Sequence, residues 1–240
     1  MRSDRVRLFQ TLPHPCGYFA DRVAQNLVID PAAPQLDHLY GQALASGFRR
    51  AGGHLYLPRC HGCHACTPSR IPVAQFRPDR SQRRCLARNA DLTFAIHAAG
   101  YSDERFALYQ HYLGTRHRNG GMDNAEADDF TRFLTAPWSR TRFLEWRLDE
   151  RLVAVAVTDV CDDALSAVYT FFDPDLAARS LGTHAILAQI DLARARSLAH
   201  VYLGYWIDGH PKMDYKRRFH GLEILTVDGW QRLPANRSEG

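Results

Sequence analysis

Aromatic, basic and acidic side chains crowd into one stretch near the end of this 240-residue chain, GYWIDGHPKMDYKRRF over residues 204–219. Tyr205 and Trp206 offer faces on which a nucleobase stacks, worth roughly 1–3 kcal/mol each. Lys212, Lys216, Arg217 and Arg218 offer cations to a phosphate or a carboxylate, and Asp208, His210, Asp214 and Tyr215 offer acid, base or orienting groups. Each also has a plainer use, as a core aromatic, a solvated cation or a turn aspartate; the density of all of them in one stretch is what points to a site. Upstream, Arg179, Gly182 and Thr183 belong to a loop leading into an apolar helix. Such a helix start presents unpaired backbone N–H groups to an anion, either a phosphate of RNA or the pyrophosphate of coenzyme A. A single Gly falls short of the glycine-rich loop a coenzyme A enzyme uses. Tyr169 and Asp173, at the end of an aromatic strand, are placed to receive or relay the proton of an attacking amine, with Asp208 as a third candidate catalytic group.

Cys60, Cys63 and Cys66 stand as C-x2-C-x2-C, with Cys16 upstream as a possible fourth ligand. Thiolates at this spacing converge on one soft ion or cluster, zinc or iron–sulfur, and His61 and His64 keep zinc open. Three reduced thiols in a tight loop are the alternative. Cys85 and Cys161 stand alone and read as small buried apolar residues. Arg77, Arg80, Arg83, Arg84 and Arg88 form the densest basic run, with Asp79 as the one acid among them. They predict a contact with RNA phosphates or a pocket for an acidic side chain, against a solvated helix face. Arg49 and Arg50 are weaker candidates and read as surface residues.

The motifs SLGTHAILAQI, VYLGYWI and KMDYKRRF resemble the C-terminal signature of the arginyltransferase family. CGYFADRVAQNLVIDP, GFRRAGGHLYLPRCHGCHACTPSRIPV and SQRRCLARNADL are similar to its short bacterial branch, the aspartate/glutamate leucyltransferases. The resemblance runs over roughly residues 12–225. It implies transfer of leucine from leucyl-tRNA to proteins with an N-terminal Asp or Glu, marking them for degradation by the N-end rule, with arginyl-tRNA as the alternative donor. It implies a GNAT-like acyltransferase fold and no cofactor for the transfer itself. Eukaryotic members carry a paired cysteine motif at the upstream position and are associated with a cluster; here Phe19 stands where the second cysteine would lie.

These groups need a scaffold, and the apolar pattern supplies one. Helices are predicted over residues 35–45, 81–89 with Ser81 as N-cap, 103–117 and 124–134, and another follows Gly182. Strands are predicted over 54–58, 71–76, 92–98, 143–148, 152–160, 165–172 and 201–206. Three strands joined by Asp-Glu and Asp-Asp turns, then a loop, a helix and one more strand, make an α+β fold, mixed α/β, on the GNAT plan. In that plan donor and acceptor meet where the strand ending at Phe172 separates from the strand over 201–206. The cysteine and arginine motifs fall in a region 1–98 and the transferase part in 99–240, with a boundary somewhere in 98–140.

Composition sets wide bounds. A hydrophobic share of 45% suits a chain that buries a sizeable core. No apolar run approaches the roughly 20 residues a membrane span needs, and the start lacks the apolar stretch of a secretory signal, so a cytoplasmic protein is expected, with its cysteines reduced or ligating. Residues 1–100 carry 13 basic and 6 acidic side chains, 101–208 carry 11 and 16, and 209–240 carry 6 and 4. Basic ends around an acidic middle fit a protein whose termini face phosphates. Two other classes remain open: an acetyl-coenzyme A enzyme acting on a small amine, and a non-enzymatic metal-binding RNA-binding protein.

Overall fold

A computed structural model describes residues 6–116 and 126–234. In chain order the elements are β1 (Leu8–Gln10), β2 (His14–Pro15), β3 (Val23–Ala24), β4 (Asn26–Ile29), α1 (Leu36–Ala45), β5 (Arg49–Ala51), β6 (His54–Pro58), β7 (Thr67–Pro72), α2 (Arg80–Arg88), β8 (Thr93–Ala98), α3 (Asp103–Arg116), α4 (Ala127–Leu134), β9 (Thr141–Leu148), β10 (Arg151–Val160), β11 (Ala164–Phe172), α5 (Leu181–Ala195), β12 (His200–Trp206), β13 (Glu223–Thr226) and β14 (Gly229–Arg232). An eight-stranded sheet runs β14-β13-β7-β12-β11-β10-β9-β8, and a four-stranded sheet runs β1-β4-β6-β5. The fold is mixed α/β. All neighbouring pairs of the large sheet are antiparallel except β11 and β12, which α5 joins as a parallel pair.

The apolar run of β10 explains the layering. Successive side chains on a strand point to opposite faces. Val155 and Val157 accordingly pack with Phe171 against α3 and α4. Ala154 and Ala156 face Leu181 and Ala185 of α5 instead. The small sheet and α1 close a further core around Tyr40, Phe48 and Tyr202. Cys85 and Cys161 are buried among apolar neighbours, as read from the sequence.

Several sequence readings shift. The strand read at 71–76 is β7, at Thr67–Pro72, and residues beyond it turn away. Two prolines make TPSRIP look like a loop, yet pairing with β12 on one side and β13 on the other holds it extended. Helix α2 begins one residue early because Asp79, not Ser81, is its cap: Asp79 accepts from the Gln82 N–H at 2.8 Å, and Gln82 Oε1 accepts from the Asp79 N–H at 3.0 Å. His117 and Asn124, the inner ends of two predicted helices, lie outside the described residues. The regions drawn on either side of residue 98 share the large sheet, since β7 sits inside it and β8 at its edge.

Candidate active site at the separated strands

Strands β11 and β12 pair only through Ala164, Leu165 and Ser166 against His200, Val201 and Tyr202. Beyond Ser166 they separate, and Arg49 enters the gap from β5. Its Nη1 donates to Ser166 Oγ at 3.1 Å and to the Tyr202 carbonyl at 3.4 Å, and its Nη2 donates to the Ala167 carbonyl at 2.7 Å. The guanidinium thus takes up carbonyls that the missing strand pairing leaves open. Gly204 makes room for it: at φ +84°, a Cβ there would stand 3.2 Å from Arg49 Nε. Gly204→Ala is therefore expected to cost about 1–2 kcal/mol and most of the activity, as read by urea unfolding and a transfer assay side by side.

The next residue anchors Arg49. Arg50 lies fully inside and grips Asp159 with two bonds, Nε to Oδ2 at 2.6 Å and Nη2 to Oδ1 at 3.0 Å. Tyr40 and Thr141 donate to the same carboxylate at 2.7 and 2.6 Å, and Tyr40 also reaches Ser166 Oγ at 3.2 Å. Sequence reading placed both arginines at the surface, and the structure reverses this: they are 7% and 5% exposed. One signal was available, a lone Gly inside β12, which marks a close approach of other atoms.

Lys216 is the second cation of this region. Only 3% exposed, it donates from Nζ to the Tyr205 carbonyl at 2.7 Å and approaches Met213 Sδ at 3.1 Å. Burial, then the nearby Arg49 charge, lowers its pKa to about 7. The Tyr215 ring centroid lies 5.1 Å from this ammonium. Tyr215 also lines a groove of about 290 Å³ with Arg84, Arg88, Ser180, Thr183 and Arg218. Among the described residues no acidic side chain lines that groove. The start of α5 opens into it, and Ser180 gives that helix no side-chain cap. Of its arginines, Arg88 donates to the Ala178 carbonyl, whereas the side chains of Arg84 and Arg218 have no hydrogen-bond or ion-pair partner among the described residues. Toward the end of β11, Tyr112 packs on Phe172 with centroids 5.0 Å apart, and Phe133 packs on Tyr169 at 5.3 Å.

The structure redistributes the other expected roles. Tyr205 is buried, and its hydroxyl is held at 3.1 Å by the carbonyls of Gly47 and Tyr56, so no ring face is open to a base. Trp206 is buried too, donating Nε1–H to Asp214 at 3.0 Å. Stacking of a base on either is therefore withdrawn. Asp173 is 2% exposed, accepts from Arg151 at 2.5 Å and caps the turn before α5 through the Asp175 N–H, which removes it as a free proton acceptor. Arg179 grips Asp91 with two bonds of 2.8 Å. Arg77 and Arg83 donate to backbone carbonyls of their own segment. Arg80 and Lys212 are exposed outside the groove lining, and Asp208 is an exposed partner of Arg217 at 3.2 Å. Gly182 packs on Phe172. Tyr169 stays beside the separated edge of β11, and burial pushes its phenol well above the ordinary range.

The four cysteines lie in one neighbourhood beside this site. Cys66, whose thiol burial pushes up to about 12, also feels Cys16, Cys60 and Cys63, and it lies within electrostatic reach of Lys216 and Tyr205. N–H groups point at three of the sulfurs: Tyr18 N at Cys16, 3.5 Å; Gln25 N at Cys60, 3.5 Å; Arg22 Nη1 at Cys63, 3.3 Å. The Ala65 N–H and Arg22 hold Cys63 below the usual thiol range. Among the described residues no three of these sulfurs lie within 4.8 Å of one another, so a soft metal ion or cluster held by them would need the loops to draw closer. His61 lines the adjoining cleft, while His64 is exposed.

Comparison with known proteins gives the family. Residues 14–84 match the family model for the N terminus of arginine-tRNA-protein transferase, and residues 104–226 match that for its C terminus. The aspartate/glutamate leucyltransferase of Stenotrophomonas maltophilia strain K279a is 59% identical over 95% of this chain and 94% of its own. That of Xanthomonas euvesicatoria pv. vesicatoria strain 85-10 is 58% identical over 98% and 96%. Among solved structures, FemX is similar with a TM-score of 0.43 at 8% identity, covering 85% of this chain and 80% of that one. Both halves of the family signature and relatives matched over nearly their whole length make this chain a member of the arginine-tRNA-protein transferase family, an aminoacyltransferase.

Proposed function

We propose that this enzyme transfers leucine from leucyl-tRNA to the α-amine of proteins whose first residue is Asp or Glu, marking them for degradation by the N-end rule. The observation that carries the reading is the separation of β11 from β12 beside an acid-free arginine groove. In this reading β11, α5 and β12 form a GNAT-like unit. The groove takes phosphates at the 3′ end of the tRNA on Arg84, Arg218 and the start of α5, and the leucyl ester reaches into the gap between the strands. The aromatic wall of Tyr112, Phe133, Tyr169 and Phe172 suits an apolar donor side chain, where arginine would call for an acid.

The chemistry asks little of a general base. The ester is already activated, and a protein α-amine with a pKa of about 7.7–8.0 is partly free base near neutrality. The amine nitrogen attacks the ester carbonyl carbon, and backbone N–H groups along the separated edges receive the oxyanion. The carbon–oxygen bond to the ribose then breaks, an amide remains, and the proton lost by the amine ends on the ribose oxygen. Tyr169, held in its protonated form, relays that proton and does not act as a phenolate base. Holding amine and ester within about 3–3.5 Å supplies much of the rate. A soft metal ion or cluster, where bound, would be held by Cys16, Cys60, Cys63 and Cys66, and would crosslink the loops that flank Lys216.

The test mixes the protein with leucyl-tRNA or arginyl-tRNA and with peptides beginning Asp, Glu, Lys or Ala, and follows label transfer by mass spectrometry. Leucine on the Asp and Glu peptides alone is the expected result; arginine would change the donor, and no transfer after anaerobic reconstitution would overturn the reaction. Arg84→Ala with Arg218→Ala is expected to weaken tRNA binding at least tenfold at low salt and to flatten its salt dependence by a log–log slope of about 1–2, measured by filter binding from 50 to 200 mM salt.

A further inference from the structure

Two cations lie buried at the separated strands with no carboxylate beside them. Arg49 and Lys216 are 7% and 3% exposed, and among the described residues neither has an acidic side chain within ion-pair distance. The one buried acid of this network, Asp159, is already engaged by Arg50, Tyr40 and Thr141. A fold rarely keeps two neighbouring positive charges out of water without an anion to meet them.

Both also retain donors. The three hydrogen bonds of Arg49 take two protons of Nη1 and one of Nη2, leaving one proton on Nη2 and that of Nε on the edge that faces Gly204. Of the three Lys216 protons, one meets the Tyr205 carbonyl and another faces only a thioether, a weak acceptor. Tyr215 links this pair to the groove, because its ring lies against the Lys216 ammonium and its edge lines the groove wall.

We infer that Arg49 and Lys216 form the seat for the side-chain carboxylate of the acceptor's first residue. The inference rests on the proposed reaction and assigns its acceptor specificity. A carboxylate in this seat would bring its own α-amine, a few bonds away along the same residue, to the gap where the ester sits. The remaining edge of a guanidinium fixed by Ser166, Tyr202 and Ala167, with a lysine on a flexible stem, accommodates Asp and Glu alike, which differ by one methylene. The seat takes the place of Arg77, Arg80 and Arg84, the arginines that the sequence offered for this role. Arg77 is tied to backbone carbonyls, Arg80 is exposed, and Arg84 belongs to the groove.

The test uses peptides beginning Asp, Glu, Asn or Gln and has two arms. In the first, binding of fluorescent peptides to wild-type protein without tRNA is measured by anisotropy; the acidic peptides are expected to bind on the order of 100-fold more tightly than their amides. Equal affinity would overturn the seat. In the second, leucine transfer is measured with Lys216→Met and Arg49→Gln, each checked for folding by circular dichroism. The ratio of kcat/KM for Asp over Asn peptides is expected to collapse to within a few fold. A folded variant that keeps the wild-type ratio would overturn the seat while leaving the reaction intact. Wild-type protein that binds Asp peptides selectively yet transfers nothing would instead overturn the reaction and leave the seat standing. Should both variants fail to fold, the wild-type binding ratio decides alone.

Discussion

Asp159→Ala is expected to remove about 3–5 kcal/mol of folding stability and to abolish transfer with it. Asp159 is wholly inside and, among the described residues, is the only acid that meets Arg50, so its loss leaves a buried guanidinium without a counter-charge. Tyr40 and Thr141 lose their acceptor at the same moment. The Ala would also leave a void, although that is the smaller effect beside an unpaired buried charge. Activity falls with stability because Arg50 anchors β5, and β5 carries the side chain that fills the gap between β11 and β12. Urea unfolding gives the stability change. The double variant Asp159→Leu with Arg50→Met separates the two consequences: removing both partners is expected to restore most of the stability, as buried pairs exchanged for apolar groups commonly do, while transfer stays low because Tyr40, Arg50 and Asp159 no longer fix the position of Arg49. A loss below about 1 kcal/mol in Asp159→Ala would show that water reaches Arg50 and that the network is not the anchor.

How much of this could be read from the chain differs by the range of the interactions involved. Elements set by local pattern emerged cleanly: the alternating and apolar runs of β9, β10 and β11, the helix after Gly182, the strand at His54–Pro58. Those set by distant partners did not. Strand β7 carries two prolines and no apolar alternation, and it is a strand only because β12 and β13 flank it. The β13–β14 hairpin at the sheet edge was overlooked even though Asp228-Gly229 is a turn signal. The site divides in the same way. Lys216, Tyr215, Thr183 and Arg84 stand out by their neighbours in sequence, whereas Arg49 and Arg50 owe their burial to partners more than 100 residues away. Composition misled here, because arginine is mostly an exposed residue. Tyr205 and Trp206 misled in the opposite sense, since an aromatic pair beside a basic run suits a base-stacking platform and a core equally well, and only packing distinguishes them.

Lys216→Met is expected to stabilise the fold by about 1–4 kcal/mol at pH 7 while removing the selectivity for acidic N-termini. Two opposing effects set the balance. The substitution leaves the Tyr205 carbonyl without its donor, which costs about 1 kcal/mol. It also removes a buried ammonium that faces Arg49, the Cys66 thiol and the Tyr215 ring and has no carboxylate. The lowered pKa fixes how this gain varies with pH. An unfolded lysine keeps its proton up to about 10.4, whereas the folded chain releases that of Lys216 near 7. Between these values the unfolded state binds more protons, so wild-type stability rises with pH across the window; below about 7 both states hold the proton and the burden on the native fold is at its full value. Methionine does not titrate, so the advantage of the variant should be largest at pH 6–7 and fade as the pH approaches 10. Urea unfolding of both proteins at pH 6, 7, 8 and 9 reads the difference directly, with changes at other titrating groups largely cancelling. A variant less stable than wild type at pH 6 would mean that Lys216 is held by an anion already within the fold. A difference independent of pH would mean that the ammonium is hydrated. The expected outcome is a residue that costs stability in every molecule without an acceptor, and a carboxylate arriving at the site would offset that cost and so favour binding of an acidic N-terminus over its amide.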